Sequence, residues 1–514
     1  MFSKVKSCAV HGVDGRMIDV EADVNDGLPV FTMVGYLSSS VRESSERVRT
    51  ALKNSGFHLP PKRITINLSP ADMRKDGSGY DLAIATAVLL SLGVTAELPM
   101  EQTLVLGELS LDGSIKAIPG VLPMVICARE EGMTSCIVPK ENVQEAALVQ
   151  GISVIGVSSL KETMEYIQGI KEYENTNVEQ PAVDTSEYLY DIDFSDVVGQ
   201  ESIKRGMEIA AAGFHNVLLT GAAGAGKSML AKRLPTILPQ MSFEESLEVT
   251  KIYSVGGMLP PEGGLIHRRP FRAPHHTISE YALIGGGRVP TPGEVSFAHY
   301  GVLFLDELPE FSKPVLEVLR QPLEERRIRI SRVQASYEFP ADFMFVAAMN
   351  PCPCGNYPGY RRCSCTEQQI RRYQSKVSGP LLDRIDIRME VKGVKQEALF
   401  SKQKTESSKT IRARVEQARQ MQKERFAGTG LLFNSQLDGK NLEEYITLSE
   451  EGKRLVLQLF EEQELSVRGV HRVLKLARTI ADLAGSEEIE HAHLQEAAFY
   501  RNQDVFAKEV LHGN

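Results

Sequence analysis

One stretch of this chain admits few folds: Gly221-Ala222-Ala223-Gly224-Ala225-Gly226-Lys227-Ser228, preceded by the apolar run Val217-Leu218-Leu219 and followed by Met229 to Leu234. A buried strand that breaks into a glycine-rich loop and then a helix is a phosphate cradle. The glycines let backbone N–H groups turn inward, and the helix N-terminus adds its positive dipole end. Lys227 is placed to reach the β- and γ-phosphates of a nucleotide, and Ser228, one residue into the helix, to hold its Mg²⁺. The expected fold around it is α/β, with a parallel sheet.

Two further strands complete such a site. In Gly301-Val302-Leu303-Phe304-Leu305-Asp306-Glu307, four consecutive apolar residues predict a strand buried on both faces, as in a sheet covered by helices. At its C-terminal end Asp306 is placed to orient Mg²⁺ through its water shell, and Glu307 to polarise the water that attacks the γ-phosphate. The strand Phe343 to Met349 ends in Asn350, whose amide can position the same water where open α/β sheets bind ligands.

At 514 residues the chain exceeds one ordinary core and divides into about three domains. Residues 1–170 alternate short strands (Val5 to Val13, Met17 to Val24, Pro29 to Val34, Arg63 to Leu68) with helices at Ser40 to Ser55 and Tyr80 to Leu92, an α+β unit. Between residues 172 and 196 stand eight acids and no Lys or Arg, a solvated linker (171–193) or an acidic docking segment. It supplies most of the net charge of -9, so a local basic channel elsewhere is not excluded. No apolar run reaches membrane-spanning length and no signal-peptide stretch follows Met1, so the expected location is cytoplasmic with no membrane partner.

The segment Thr250 to Val295 exceeds what a phosphate loop and its sheet neighbour require, and it carries Arg268, Arg269, Arg272 and the pair His275-His276. It reads as a loop facing a channel. Arg326 to Arg332 contains no acid and alternates Arg327 and Arg329 with Ile328 and Ile330, one arm of a hairpin whose return is Tyr337 to Phe339. That spacing suits phosphate contacts without base readout, or an ordinary solvated face. Cys352, Cys354, Cys363 and Cys365 put four of the seven cysteines within fourteen residues. Two Cys-x-Cys pairs can hold one tetrahedral Zn²⁺, or remain reduced thiols. Arg361, Arg362, Arg371, Arg372 and Lys376 make the same region locally basic.

Arg74 to Leu82, together with Leu106 to Leu109, Asp112-Gly113 and Ile118 to Gly120, resembles the proteolytic domain of Lon-type proteases, a ribosomal S5 domain 2-like fold. That family carries a Ser-Lys dyad. Here Gly79 stands in the serine's place and Val121 to Met124 offers no lysine. Ser78, without a positioned base, is a weak shifted nucleophile, so the resemblance implies a structural or partner-binding domain.

Almost the whole chain resembles the magnesium-chelatase-like branch of the AAA+ ATPases, and within it the ComM family. The resemblance rests on Arg269 to Thr277, Leu303 to Glu310, Ala348 to Gly355, Ser378 to Asp386 and Ser466 to Leu483. It implies an ATPase core over 194–392 and a helical lid over 393–514, with ATP and Mg²⁺ as cofactors. It also implies a homo-oligomeric ring, a hexamer, that moves on branched or single-stranded DNA as a branch-migration helicase in recombination or natural transformation. The rival implication is a motor that remodels a protein partner, as the magnesium chelatase motor does. Arg384, on a short link after a helix, is expected to meet the γ-phosphate of the next subunit. Arg468 begins a helix with Val470, Val473, Ala477 and Ile480 at helical spacing; it is the expected sensor-2 arginine of a lid over the nucleotide, with Arg472 as the alternative.

Overall fold

The computed structural model describes residues 1–172, 190–260, 264–332, 335–357, 363–392, 405–462 and 466–501. Most of the acidic linker, with Arg361 and Arg362, lies outside them.

Alternating burial along β1 (Phe2–His11) and β2 (Asp14–Asn25) forms an antiparallel hairpin with one face on a core. On one flank it adds β3 (Phe31–Val34) and β4 (Arg63–Ser69), and on the other β5 (Thr103–Val105), β6 (Ser135–Pro139) and β7 (Ser153–Val157). The result is one mixed seven-stranded sheet in the order β3-β4-β2-β1-β5-β6-β7. Helix α1 (Ser39–Asn54) starts where the Ser38 hydroxyl accepts the Val41 N–H, and it buries Val41, Val48 and Leu52. Its neighbour α2 (Asp81–Ser91) is apolar on every side and correspondingly buried. On the other face α3 (Val121–Glu130) packs against β2.

The second unit is a parallel sheet. After α4 (Glu201–Gly213) come β8 (Val217–Thr220), α5 (Lys227–Arg233), α6 (Phe243–Val255), β9 (Phe271–Arg272) and β10 (Val302–Leu305). The hairpin β11 (Arg327–Ser331) and β12 (Ser336–Pro340) follows, then β13 (Met344–Met349), α7 (Glu367–Gln374) and β14 (Ile387–Glu390). The sheet order is β9-β10-β13-β8-β14, and every neighbouring pair is parallel. Strands β8, β10 and β13 are buried at every position, as continuous apolar runs in a covered sheet require.

The two units are docked. The Gly120 N–H donates to Ser254 O (3.0 Å), the Ser254 hydroxyl donates to buried Glu145, and Lys251 pairs with Asp14 at 3.0 Å. The tip of the β1–β2 hairpin meets β12, where His11 stacks on Tyr337 with ring centroids 4.4 Å apart.

Helices α8 (Ser408–Arg425), α9 (Val467–Leu483) and α10 (His491–Arg501) share one apolar core with α4 and the sheet. These are the expected C-terminal helices, but the start of α9 does not stand over the phosphate loop. The first turns of α9 stand beside Asn216, Asp342 and Asp386, the residues that precede β8, β13 and β14, whereas the phosphate loop follows β8. Helix α9 therefore attaches to the N-terminal edge of the sheet, about 13 Å of strand away from the cradle. Among the described residues no helix is long and apolar enough to cross a membrane.

Candidate nucleotide site and the opposite sheet edge

The phosphate loop closes over β8 because small residues are enforced there. A Cβ on Gly221 would lie 2.2 Å from Val391 O, and Gly226 has φ +95°, which favours glycine. Ala223 and Gly224 are exposed at the loop's crest, while Lys227 is buried. Lys227 Nζ donates to Gly221 O (2.7 Å), Ala222 O (2.9 Å) and Asn350 Oδ1 (3.0 Å), which joins the loop to the end of β13. Burial lowers its pKa, and the nearby Asp306 and Glu307 carboxylates oppose that shift.

Ser228 Oγ donates to Asp306 Oδ2 at 2.6 Å, so the expected Mg²⁺ pair is assembled across two strands. Asp306 Oδ1 accepts the Glu307 N–H at 2.9 Å. Glu307 has φ +52°, a left-handed conformation that costs a non-glycine residue about 1–3 kcal/mol. The turn leaves Glu307 exposed while Asp306 stays half-buried. Lys227, Ser228, Asp306, Glu307 and Asn350 thus converge at the C-terminal ends of β8, β10 and β13. Carboxylate, amide and ammonium groups so placed can hold a Mg²⁺-nucleotide and activate a water.

The two arginines expected to act on phosphate are elsewhere. Arg384 and Arg468 line a cavity of about 550 Å³ at the N-terminal edge, with Glu324, Arg326, Arg472 and Lys475. Arg384 is buried. Its Nη1 donates to Pro380 O (2.7 Å), its Nη2 to Glu324, and its Nε has no partner among the described residues. Arg468 is 70% exposed, with Nη2 3.9 Å from Glu324 Oε1. The hydrogen bond from Arg384, the approach of Arg468 and the Arg472 charge hold the Glu324 carboxyl below its usual range. Arg472, the alternative sensor, is engaged structurally: it donates to Asp386 Oδ1 at 2.7 Å. Burial pushes Lys475 down to about 8.

The cysteines converge. Sγ separations are 3.4 Å for Cys352–Cys354, 3.5 Å for Cys354–Cys363 and 3.8 Å for Cys352–Cys363, and all four Sγ atoms, Cys365 included, lie within 4.8 Å of one another. Tetrahedral Zn–S bonds of about 2.3 Å imply S···S separations near 3.8 Å, so the donor set fits one Zn²⁺. Backbone N–H groups of Asn356 and Ser364 pull the Cys354 thiol down to about 5.

Part of the expected basic surface is internal. Arg269 is buried on Pro239 O, Tyr300 O and Glu245, and Arg272 makes a two-point pair with Glu294 at 2.6 Å. The hairpin forms over the expected segments, but Glu338 on β12 pairs with both Arg327 (3.1 Å) and Arg329 (2.9 Å). The His275 and His276 rings lie 4.0 Å apart between centroids, tilted by 35°. What stays together on the surface is a groove of about 990 Å³ whose lining includes Arg74, Tyr281, Arg288 and Arg332. In the first unit Ser78 donates to Glu108, not to a lysine.

Two site residues escaped the sequence reading. Gln200 sends Nε2 to Ala225 O (3.2 Å) and Lys392 O (2.9 Å), bracing the phosphate loop from behind; the Val197-Val198-Gly199-Gln200 stretch was its signal. Asp386 is buried, accepts the Asn216 N–H (3.0 Å) and the Arg472 bond, and lies 3.5 Å from His215 Nδ1. Although burial opposes ionisation, Arg472 and His215 hold its carboxyl far below the usual range.

Three family models match in succession: subunit ChlI of Mg-chelatase over residues 20–142, magnesium chelatase subunit ChlI over 193–399, and the ChlI C-terminal region over 405–501. An uncharacterized Mycobacterium tuberculosis protein is 42% identical over 93% of this chain and 94% of its own length. Competence protein ComM of Haemophilus influenzae is 41% identical over 97% of each chain. Shorter matches are Lon protease 2 of Bacillus subtilis, 30% identical over 32% of each chain, and the magnesium-chelatase 67 kDa subunit of Chlorobaculum parvum, 28% identical over 31% of this chain and 23% of that one.

Proposed function

The chain belongs to the ComM family of magnesium-chelatase-like AAA+ proteins, and on that premise we propose that it is an ATP-driven hexameric ring motor that translocates on branched or single-stranded DNA in the cytoplasm. The observation that carries the ring is the separation of the two sheet edges: a complete phosphate cradle at one, and at the other two arginines that cannot reach their own cradle. A neighbouring subunit that sets its cradle against Arg384 and Arg468 brings both guanidinium groups to its γ-phosphate.

In this reading residues 1–170 are a Lon-like platform, 171–193 a linker, 194–392 the ATPase core and 393–514 the helical attachment. Gly221 to Ser228 hold the phosphates, and Ser228 and Asp306 hold Mg²⁺. Glu307 and Asn350 set the attacking water, and Arg384 and Arg468 act in trans. The four thiols hold Zn²⁺. Support for DNA is the groove around Arg74, Tyr281, Arg288 and Arg332, which sets cations beside an exposed aromatic ring, the pairing that single strands favour. The ComM resemblance further suggests branch migration in recombination or natural transformation.

The test is ATPase activity against salt with single-stranded, duplex and four-way-junction DNA. The expected outcome is stimulation by DNA that falls steeply as salt rises. No stimulation by any of them would favour a motor that remodels a protein partner.

A further inference from the structure

The cysteine cluster lies directly against the phosphate loop. Strand β13 ends at Asn350, which accepts from Lys227 at 3.0 Å, and the chain then enters Pro351-Cys352-Pro353-Cys354-Gly355. Gly355 has φ +76° and its N–H donates to Cys352 O at 3.0 Å. A Cβ built there lies 3.3 Å from both the Cβ and the backbone N of Ala223, and 3.8 Å from Asn350 Cγ. From the other side Gln374 Nε2 on α7 donates to Pro351 O at 2.9 Å. Cys352 is fully buried beneath this turn. The crest of the cradle, exposed at Ala223 and Gly224, therefore has one protein wall beside it, and four converging thiols fix the shape of that wall.

We infer that the turns Cys352 to Gly355 and Cys363 to Cys365, joined by Zn²⁺, are a brace for the phosphate loop: they hold Gly355 on Ala223 and Asn350 on Lys227, and so set nucleotide affinity as well as local order. The inference rests on the zinc reading of the four thiols. Four metal–sulfur bonds tie together turns that hydrogen bonds otherwise hold, and metal binding and local folding are then one free-energy term. Glycine at 355 permits this close approach, since an added Cβ would lie only 3.3 Å from the Ala223 backbone N. An added methyl shifts the wall while the thiols remain.

The experiment uses the full chain, unmodified and as Cys363→Ser/Cys365→Ser and Gly355→Ala. It reads zinc content by mass spectrometry, affinity for a fluorescent ATP analogue, and the thermal transition as a check on folding. The expected result is near-stoichiometric zinc in the unmodified protein and in Gly355→Ala, with loss of zinc in the double variant. Both variants should bind the analogue about 10-fold more weakly, about 1.4 kcal/mol. Absence of zinc from the unmodified protein would overturn the zinc reading. Loss of zinc with unchanged nucleotide affinity in a folded double variant would overturn the brace alone, and so would unchanged affinity in Gly355→Ala.

Discussion

The two edges of the ATPase sheet are built on opposite plans. At the C-terminal edge Lys227 bonds loop carbonyls and Asn350, and Ser228 bonds Asp306, so the ammonium and the Mg²⁺-side carboxylate are both answered within the same chain. At the N-terminal edge Arg326, Arg384, Arg468, Arg472 and Lys475 crowd one cavity, with Glu324, Asp342, Asp386 and Asp438 as the carboxylates among its lining residues. Asp386 is buried and committed to Arg472, whereas Glu324 is 55% exposed and holds Arg384 and Arg468 at the cavity mouth. One edge assembles a phosphate cradle, and the other gathers arginines away from it. In the proposed ring, catalytic completeness is therefore a property of an interface between subunits.

Removing Arg384 is the largest perturbation of the contrast between the edges. Arg384→Ala should bind ATP normally and lose turnover by about 10³-fold or more. Mixing it with Glu307→Gln subunits should restore part of the activity, because each variant completes a different half of an interface. Failure at every mixing ratio would leave Arg384 as an internal structural residue. At the other edge, Glu307→Gln should lower turnover by about 10²–10⁴-fold with ATP affinity retained. Lys227→Ala should instead weaken ATP binding itself, because it removes phosphate neutralisation. Equilibrium binding set beside single-turnover rates separates the two.

Much of the C-terminal edge was legible in the sequence because its signals are local. A glycine-rich loop after an apolar run, two carboxylates after a second run and an amide after a third need no knowledge of what packs where. Helical periodicity likewise identified the inward face of α9 through Val473, Ala477 and Ile480. It could not say which edge of the sheet that face would meet, since apolar spacing is indifferent to direction. That choice is made by Asp386, whose buried charge needs Arg472, and by Arg501, which donates to Ile385 O. The basic surface was over-read for a related reason. Arg269, Arg272, Arg327 and Arg329 find their acids at Glu245, Glu294 and Glu338, on segments that the fold alone brings beside them.

Asp386 gives the attachment of α9 a pH signature. A carboxyl with a depressed folded pKa contributes stability that is fully present above its unfolded value, about 3.9, and is lost as pH falls through the folded value. The unmodified protein should therefore lose thermal stability below about pH 4. Asp386→Ala should be destabilised at neutral pH by about 3–5 kcal/mol, because Arg472 is left without its buried partner, and it should lose that acid dependence. Equal acid sensitivity in both proteins would place the controlling carboxylate elsewhere.

The smallest expected effect is the most specific to the contrast between the edges. Glu324 occupies the arginines in the isolated chain, and an ion pair whose carboxylate is 55% exposed is screened by water and worth about 0–1 kcal/mol. Handing Arg384 from Glu324 to a neighbour's phosphate therefore opposes catalysis by a similar amount. Glu324→Gln should leave the melting temperature nearly unchanged and raise turnover by about 2–5-fold, since 1 kcal/mol corresponds to about fivefold at 25 °C. The gain should vanish in the Arg384→Ala background, where there is nothing to release. A fall in turnover would give Glu324 the opposite part, that of orienting Arg384 toward the phosphate, and the N-terminal edge would then be an assembled half-site that needs only a nucleotide brought to it.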